Sequence, residues 1–157
     1  AIPARGTRGG LGVWEVARVE AGRPEWGIDM DESTIAQEAN LEQLDAISFT
    51  KGCYTGQEVV ARVHFRGHVN RTLRGIRAAG TTMIPTRAAL FDATEKAVGD
   101  VRSSVVSPRH GAIALAMLRR EIEGATTLTA RWSADPAGDG AAGETSIDVV
   151  PLPFATE

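Results

Sequence analysis

The sequence is poor in cysteine and in long apolar runs, and each shortage excludes a class of protein. Cys53 is the single cysteine among 157 residues, so the chain cannot form an internal disulfide framework. A lone thiol favours a reducing compartment, and we expect the protein to work in the cytoplasm. No apolar run approaches the roughly 18 residues that a membrane-spanning helix needs. Residues 1–10 lack the apolar core of a signal peptide.

Net charge is also small, which argues against a general attraction to nucleic acid or to anionic membranes. The formal net charge is -3 at pH 7. The charge is uneven, however, because acidic residues dominate Glu15–Asp45 whereas arginines dominate Lys51–Arg77. These segments are either two solvated faces or, in the second, a basic surface that meets an anionic ligand or partner.

The pattern of apolar residues changes near residue 70 and predicts an α+β chain. Helices are expected over Leu11–Ala21 and Thr55–Arg66, ended by Gly22 and Gly67, with a short helix ending at Gln37. Five short runs rich in Val, Ile and Thr follow, and a sixth segment runs from a strand into a helical turn: Leu73–Arg77, Ala89–Phe91, Val98–Val106, Ala114–Glu121, Thr126–Trp132 and Ser146–Val150. Strands at this spacing predict a small antiparallel β-barrel, with a loop over Ala134–Glu144.

The segment KGCYTGQE, residues 51–58, is chemically the richest part of the sequence. Cys53 lies just ahead of the second predicted helix, where free N–H groups and the helix dipole favour an anion. Lys51 adds positive charge, and both effects favour the thiolate, which is the nucleophilic and metal-binding form. Thr55 and Glu58 stand at capping-box spacing. Cys53 is therefore either a reactive thiol or an inert small hydrophobe.

This segment closely resembles the hallmark motif of the YgfZ family, which are GcvT-like proteins that bind tetrahydrofolate and assist iron–sulfur enzymes. Residues 18–24 (RVEAGRP) resemble the family's R-[IV]-E-x-G-x-P segment, and residues 39–49 resemble the lead-in to its cysteine motif. Residues 107–116 (SPRHGAIALA) resemble its barrel motif SPxxGxxIALA. The resemblance covers most of residues 11–121 in matching order. It implies part of a GcvT-like folate-binding domain over residues 1–70 and a C-terminal β-barrel domain over residues 71–157.

The resemblance also implies roles for individual residues. Glu20 is expected to reach the pterin of tetrahydrofolate, because a carboxylate can accept two N–H bonds from an aminopyrimidine edge. Arg71 is expected to contact the same folate through its guanidinium. The resemblance further implies a YgfZ-specific functional patch around the Cys53 thiolate. Its residues are Lys51, Cys53, Tyr54, Gln57 and Glu58.

Relatives in this family carry a further N-terminal region that completes the folate cavity, and none of it is recognisable here. The chain begins at Ala1 without an initiator Met, so we expect upstream sequence to be missing and the folate pocket to be incomplete. Expected partners are iron–sulfur client or assembly proteins, folate, and either the missing N-terminal half or a second copy of the chain. No DNA or membrane partner is expected.

Three functions compete at this point. The first is a tetrahydrofolate-binding accessory protein for the assembly or repair of iron–sulfur enzymes, which would not itself be an enzyme. The second is a glycine-cleavage-type aminomethyltransferase, which lacks its upstream aspartate here. The third is a tRNA-modification-related binding module, based on the arginines from Arg62 to Arg77. A zinc site at Cys53, His64 and His68 lacks a fourth ligand, so no metal site is predicted. The client enzymes, the folate's one-carbon state and the oligomeric state are not encoded in any recognisable pattern.

Overall fold

A computed structural model describes residues 9–80, 82–122, 124, 126–134 and 141–154. Two helices come first, and six strands follow. The helices are α1 (Leu11–Glu20) and α2 (Gln57–Arg66), and the strands are β1 (Arg71–Ala78), β2 (Ala89–Phe91), β3 (Ala97–Ser107), β4 (Gly111–Arg119), β5 (Thr127–Trp132) and β6 (Gly143–Val150).

The six strands form a closed antiparallel barrel in the order β1-β4-β3-β2-β5-β6, with β6 paired back onto β1. Closure leaves no sheet edge unpaired, so the barrel needs no other cover for its backbone groups. The long pairs are β1 with β4, from Arg71 opposite Arg119 to Arg77 opposite Ile113, and β3 with β4. The predicted α+β class with a small antiparallel barrel is therefore confirmed.

Strand β4 explains how the barrel joins the rest of the chain, because both of its faces are buried. Alternate residues of a strand point to opposite faces. Ala112, Ala114, Ala116 and Leu118 belong to the main core cluster, in which the small alanines suit a narrow interior. The residues between them, Ile113, Leu115 and Met117, belong to a second cluster. That cluster also contains Val19 of α1, Leu73 of β1 and Phe154 near the end of the described chain.

Strand β3 is irregular where it faces α1. Its register against β4 shifts between Val101 and Ser104, which leaves Arg102 and Ser103 buried at the break. At the other end of β3, a Cβ added to Gly99 would lie 2.3 Å from the Met117 carbonyl oxygen, so the two backbones approach too closely there for a side chain. Helix α1 packs against β3 and β4.

Helix α2 differs from α1 because none of its residues is buried. Val59 is 54% exposed and Phe65 is 70% exposed, whereas Val60, Ala61 and Val63 are half-buried. Neither helix is long and apolar enough to cross a membrane, within the part of the chain that the structure describes.

Several local expectations are corrected. The short helix predicted to end at Gln37 is wrong, because Asp31 instead accepts hydrogen bonds from Ser33 and Thr34 and closes a turn. Helix α2 begins at Gln57 rather than Thr55. The predicted loop over residues 134–144 falls partly outside the described residues, and its last two residues already belong to β6. The division into domains at residue 70 stays a prediction, although the first barrel strand begins at Arg71.

Candidate functional site

The Cys53 loop lies on the surface ahead of α2. Cys53 is a free, exposed cysteine, so its thiol is open to reagents and partners. Gly56 is the N-cap of α2 and has φ 86°, in the left-handed region that glycine adopts without a steric penalty. Cys53 therefore stands three residues ahead of the helix cap rather than at it. Because the effect of a helix dipole falls off within about one turn, the dipole contributes less to Cys53 than the sequence predicted.

The other residues of the motif mostly interact with one another. The Tyr54 N–H donates to the Gln57 side chain (3.3 Å), and the Gln57 N–H donates to the Tyr54 carbonyl (3.2 Å). The Lys51 ammonium lies 4.9 Å from the centre of the Tyr54 ring. Glu58 does not complete a capping box with Thr55, because it forms an exposed ion pair with Arg62 (2.9 Å). Lys51, Tyr54 and Gln57 thus shape the loop that presents Cys53.

Helix α2 is attached by polar and aromatic contacts. The Gln37 side-chain amide donates to the Val60 carbonyl (2.8 Å). His64 Nδ1 lies 2.6 Å from Glu42 Oε1, and the His64 ring stacks on Phe49 with 4.0 Å between ring centres. These contacts give His64 a structural role in fixing the helix. Among the described residues, no group of three or more His, Cys, Asp and Glu side chains is placed to hold a metal ion.

Glu20 ends α1 and joins the two family-like motifs that lie far apart in the sequence. Its carboxylate accepts a hydrogen bond from the Ser107 hydroxyl (2.6 Å) and forms an ion pair with Arg109. Ser107 Oγ in turn accepts hydrogen bonds from the backbone N–H groups of Arg109 and His110, both at 3.0 Å. The Phe154 N–H donates to the Glu20 carbonyl (2.9 Å). Glu20 therefore fastens α1 to the β3–β4 turn and to the end of the described chain.

These contacts set the charge of Glu20. The Ser107 hydroxyl, followed by the Arg109 guanidinium, holds the pKa of the Glu20 carboxyl below its ordinary value, although burial acts in the opposite direction. Glu20 is thus ionised at neutral pH with both oxygens engaged. The Arg109 side chain is 61% exposed, so that partner can move away more easily than Ser107 can.

Arg71, the second expected folate residue, also has a partner within the chain. Its Nε lies 3.1 Å from Oε1 of Glu38, a buried carboxylate whose other oxygen accepts the Ile35 N–H (3.2 Å). Arg71 keeps a side-chain exposure of 38%. Its guanidinium can therefore reach a ligand at the surface while it neutralises Glu38.

A small cavity lies between the end of α1 and β1. Its volume is about 410 Å³, which is within the range of small-molecule sites. Its lining contains the residues that follow Glu20 and Arg71 but neither of those two: Ala21, Gly22, Asn40, Gln43, Leu44, Thr72, Leu73, Arg74, Pro151, Leu152 and Pro153. Among the described residues, no hydrogen bond or ion pair joins the Cys53 loop to Glu20 or Arg71. The structure therefore shows the predicted site residues in separate local groups.

A buried charge network centred on Arg18 was missed by sequence reasoning. The Arg18 guanidinium donates to Asp29 (2.7 Å), to Glu15 (2.7 Å) and to the Ser103 hydroxyl (2.8 Å). Asp29 is fully buried and also accepts from the Ser103 N–H (3.1 Å). Arg18 begins the RVEAGRP segment, which was a usable signal, but Asp29 and Ser103 lie in segments with no visible motif.

Comparison with known proteins relates the sequence of this chain to one family. The chain is 36% identical over 151 residues to a tRNA-modifying protein YgfZ of Sodalis glossinidius, which covers 90% of this chain and 42% of that protein. It is 32% identical over 126 residues to a mouse mitochondrial iron–sulfur cluster assembly factor, covering 77% of this chain and 34% of that protein. A tRNA-modifying protein YgfZ of Serratia proteamaculans is 50% identical over 60 residues, 38% of this chain and 18% of that protein.

The chain thus spans less than half the length of these relatives. No family model matches it. Among solved structures, an aminomethyltransferase T of the glycine cleavage system from Bartonella henselae superposes with a TM-score of 0.70 over 94% of this chain and 39% of that one. The sequence identity is 20%, so this likeness shows a GcvT-like fold and nothing further.

Proposed function

Because this chain belongs to the YgfZ family, we propose that it is part of a tetrahydrofolate-binding accessory protein for the assembly or repair of iron–sulfur enzymes. The observation that carries this proposal is the exposed thiol of Cys53 in the KGCYTGQE loop. Relatives named as tRNA-modifying proteins and as an iron–sulfur cluster assembly factor support it. In this role the protein is not itself required to turn over a substrate.

Cys53 is suited to act on another protein rather than to hold a cluster alone. Iron–sulfur clusters normally take four protein ligands, and this chain has one cysteine. If a cluster is contacted, most of its ligands must therefore come from outside these 157 residues. Lys51 and Tyr54 shape the loop, and Gln57 fixes its last turn, so that the thiol is presented at the surface.

The described residues fit tetrahydrofolate in part. Glu20 carries the negative charge that a pterin's amino edge requires, but its oxygens already accept from Ser107 and Arg109. Arg71 is partly exposed and can pair with a folate carboxylate. The cavity between α1 and β1 is lined by Ala21 and Thr72, which directly follow Glu20 and Arg71 in the sequence. When bound, the folate would supply one-carbon chemistry. The role of the chain's own residues would be to orient it.

The decisive experiment replaces Cys53 by Ser in the intact gene product and measures an iron–sulfur enzyme in cells that lack the native protein. We expect that enzyme activity to be lost while the variant still folds and binds tetrahydrofolate. Glu32→Gln, an exposed carboxylate outside the motif, serves as the control and should restore full activity. Unchanged enzyme activity in the Cys53→Ser cells would contradict the proposed role of the thiol.

Folate binding is tested separately by titrating tetrahydrofolate into the purified intact gene product. Glu20→Gln and Arg71→Ala should each weaken binding, whereas Cys53→Ser should not. Equal affinity in all variants would remove Glu20 and Arg71 from the folate site without affecting the iron–sulfur role.

A tRNA-modification-related module is the second candidate, favoured by the names of the YgfZ relatives. Its predicted arginines are divided between two elements, since Arg62 and Arg66 lie on α2 while Arg71, Arg74 and Arg77 lie on β1. Loss of a modified nucleotide from cellular tRNA in the Cys53→Ser cells, with cluster enzymes unaffected, would favour it. The aminomethyltransferase alternative rests on the fold alone. Detection of methylene-tetrahydrofolate formation by the intact gene product would favour that reading.

A further inference from the structure

Three arginines line one pocket at an end of the barrel. One of them is Arg71, an expected folate contact, and none belongs to the predicted patch around Cys53. The pocket has a volume of about 680 Å³. Its lining, which comes from the start of β1 and the turn after β4, consists of His68, Asn70, Arg71, Arg119, Arg120 and Glu121. The Arg120 N–H donates to the Asn70 carbonyl (2.9 Å), which fixes the two segments against each other.

The arrangement of these arginines concentrates positive charge in one pocket. Arg71 and Arg119 stand directly opposite each other on β1 and β4. Side chains in such a pair share a face with Cβ atoms about 5 Å apart, and like charges there repel. A neighbouring arginine, Arg120, adds to the same positive field. A fold with three guanidinium groups in one pocket gains stability when a negative group binds between them.

The carboxylates near the pocket leave most of this charge uncompensated. Glu38 pairs with Arg71 (3.1 Å), and Glu121, which lines the pocket, pairs with Lys96 (2.6 Å). Lys96, and to a smaller extent Arg119, hold the pKa of the Glu121 carboxyl below its ordinary value. Within the described residues, no carboxylate lies at ion-pair distance from Arg119 or Arg120. Both arginines are exposed, so their guanidinium groups can reach a ligand without the cost of opening the fold.

We propose that this pocket binds a phosphate group, carried either by a small phosphate compound or by an RNA backbone. A terminal phosphate offers three unbridged oxygens and up to two charges, and an RNA backbone brings several singly charged phosphodiesters close together. Either can therefore pair with several arginines at once, whereas a single carboxylate offers two oxygens and one charge. No aromatic ring other than the His68 imidazole lines the described pocket, so bases have little to stack on. The chemistry recognised is the phosphate, not a base sequence.

The test compares two double variants of the intact gene product. Arg119→Ala/Arg120→Ala removes two charges from the pocket, and the control Arg23→Ala/Arg87→Ala removes two exposed charges that do not line it. Two probes are titrated into each protein at fixed salt: inorganic tripolyphosphate and a short single-stranded RNA. Thermal unfolding of each variant verifies that it folds.

We expect the pocket variant to bind at least one probe about tenfold more weakly or worse, because hydrogen bonds between charged groups are lost. The control variant should bind within about twofold of the wild type, since neither of its arginines lines the pocket. If RNA is the source, removing both arginines should also reduce the salt dependence of binding by about one contact for each arginine. Tripolyphosphate binding without RNA binding would identify a small phosphate compound as the ligand.

Two results would overturn the proposal. In the first, neither probe binds the wild-type protein at millimolar concentration. In the second, the two double variants lose affinity equally, which would make the attraction a property of total charge rather than of this pocket. Because tetrahydrofolate and cluster enzymes appear in neither assay, failure here leaves the function proposed above unaffected.

Discussion

The barrel and the segment Lys51–Arg66 differ in how far their side chains are buried. In the barrel strands, large side chains such as Leu73, Leu115 and Ile147 have less than 2% of their surface exposed. In Lys51–Arg66, no residue is buried, and the segment holds the single thiol of the chain. The comparison teaches that stability and the predicted chemistry are located in different parts of this molecule.

This separation has a physical reason. Burial of a Leu or Ile side chain stabilises a fold by about 1.5–3 kcal/mol, so the barrel holds its geometry without help from the exposed segment. A thiol that must meet another protein gains nothing from burial and needs access instead. Substitutions should therefore divide into those that unfold the protein and those that change only what it does.

The largest expected effect is in the barrel. Leu115→Ala removes a fully buried side chain from the cluster between β4 and α1 and should lower the free energy of unfolding by about 2–5 kcal/mol. Val59→Ala on α2 removes a side chain that is 54% exposed and should change it by less than about 0.5 kcal/mol. Urea unfolding of both variants measures the contrast. Equal losses would mean that α2 contributes to the core as much as β4 does.

The next effect is expected at the junction of α1 with the barrel. Asp29→Asn keeps the shape of the side chain but removes the charge that pairs with buried Arg18, and should cost about 1–3 kcal/mol. Glu32→Gln, an exposed carboxylate nearby in sequence, is the matched control and should be nearly neutral. Urea unfolding at pH 7 gives both values. A neutral Asp29→Asn would show that Glu15 and Glu25, whose carboxylate lies 3.2 Å from Arg18 Nε, compensate Arg18 without Asp29.

Glu20 should produce a smaller effect that depends on pH. Its folded pKa lies below the ordinary value of 4.5, so its contribution is fully present above that pH and is lost as the pH falls through the folded pKa. Glu20→Gln should therefore cost about 1 kcal/mol at pH 7, and the difference from wild type should shrink below pH 4.5. Thermal unfolding from pH 7 to pH 3 tests this. A difference that stays constant with pH would mean that the lost interaction does not depend on the carboxylate's charge.

Much of the barrel could be predicted from the sequence, because its strands are short apolar runs, several of them rich in Val, Ile and Thr, that glycines and prolines separate. Strand β2 was predicted with its observed bounds, and the other strands were predicted with errors at their ends. One missed feature has a local cause. The turn over residues 31–38 replaces a helix because Asp31 accepts from Ser33 and Thr34, a local competition that helix patterns do not record.

For the candidate site, the sequence identified the motif residues but not their partners. The pairing of Glu20 with Ser107 and Arg109 joins residues more than 80 positions apart, so nothing in either motif alone reveals it. The start of α2 was misplaced for a local reason, since Gly56 takes a left-handed conformation and delays the helix to Gln57. The roles of Cys53, Glu20 and Arg71 stay predictions.

The smallest effect on stability is expected at Cys53. The contrast between the buried barrel and the exposed segment Lys51–Arg66 is tested most directly there. Cys53→Ser should change the free energy of unfolding by less than about 0.5 kcal/mol, because the side chain is exposed. In the folded intact gene product, a thiol reagent should label Cys53, as read from the mass of its peptide, and adding urea should not increase the labelling of that residue. Labelling that requires urea would place Cys53 under a covering segment in the intact protein. The thiol would then be protected in the intact protein and become accessible only when its partner binds. Access to the thiol, as well as its chemistry, would then have to explain the loss of cluster-enzyme activity in Cys53→Ser cells.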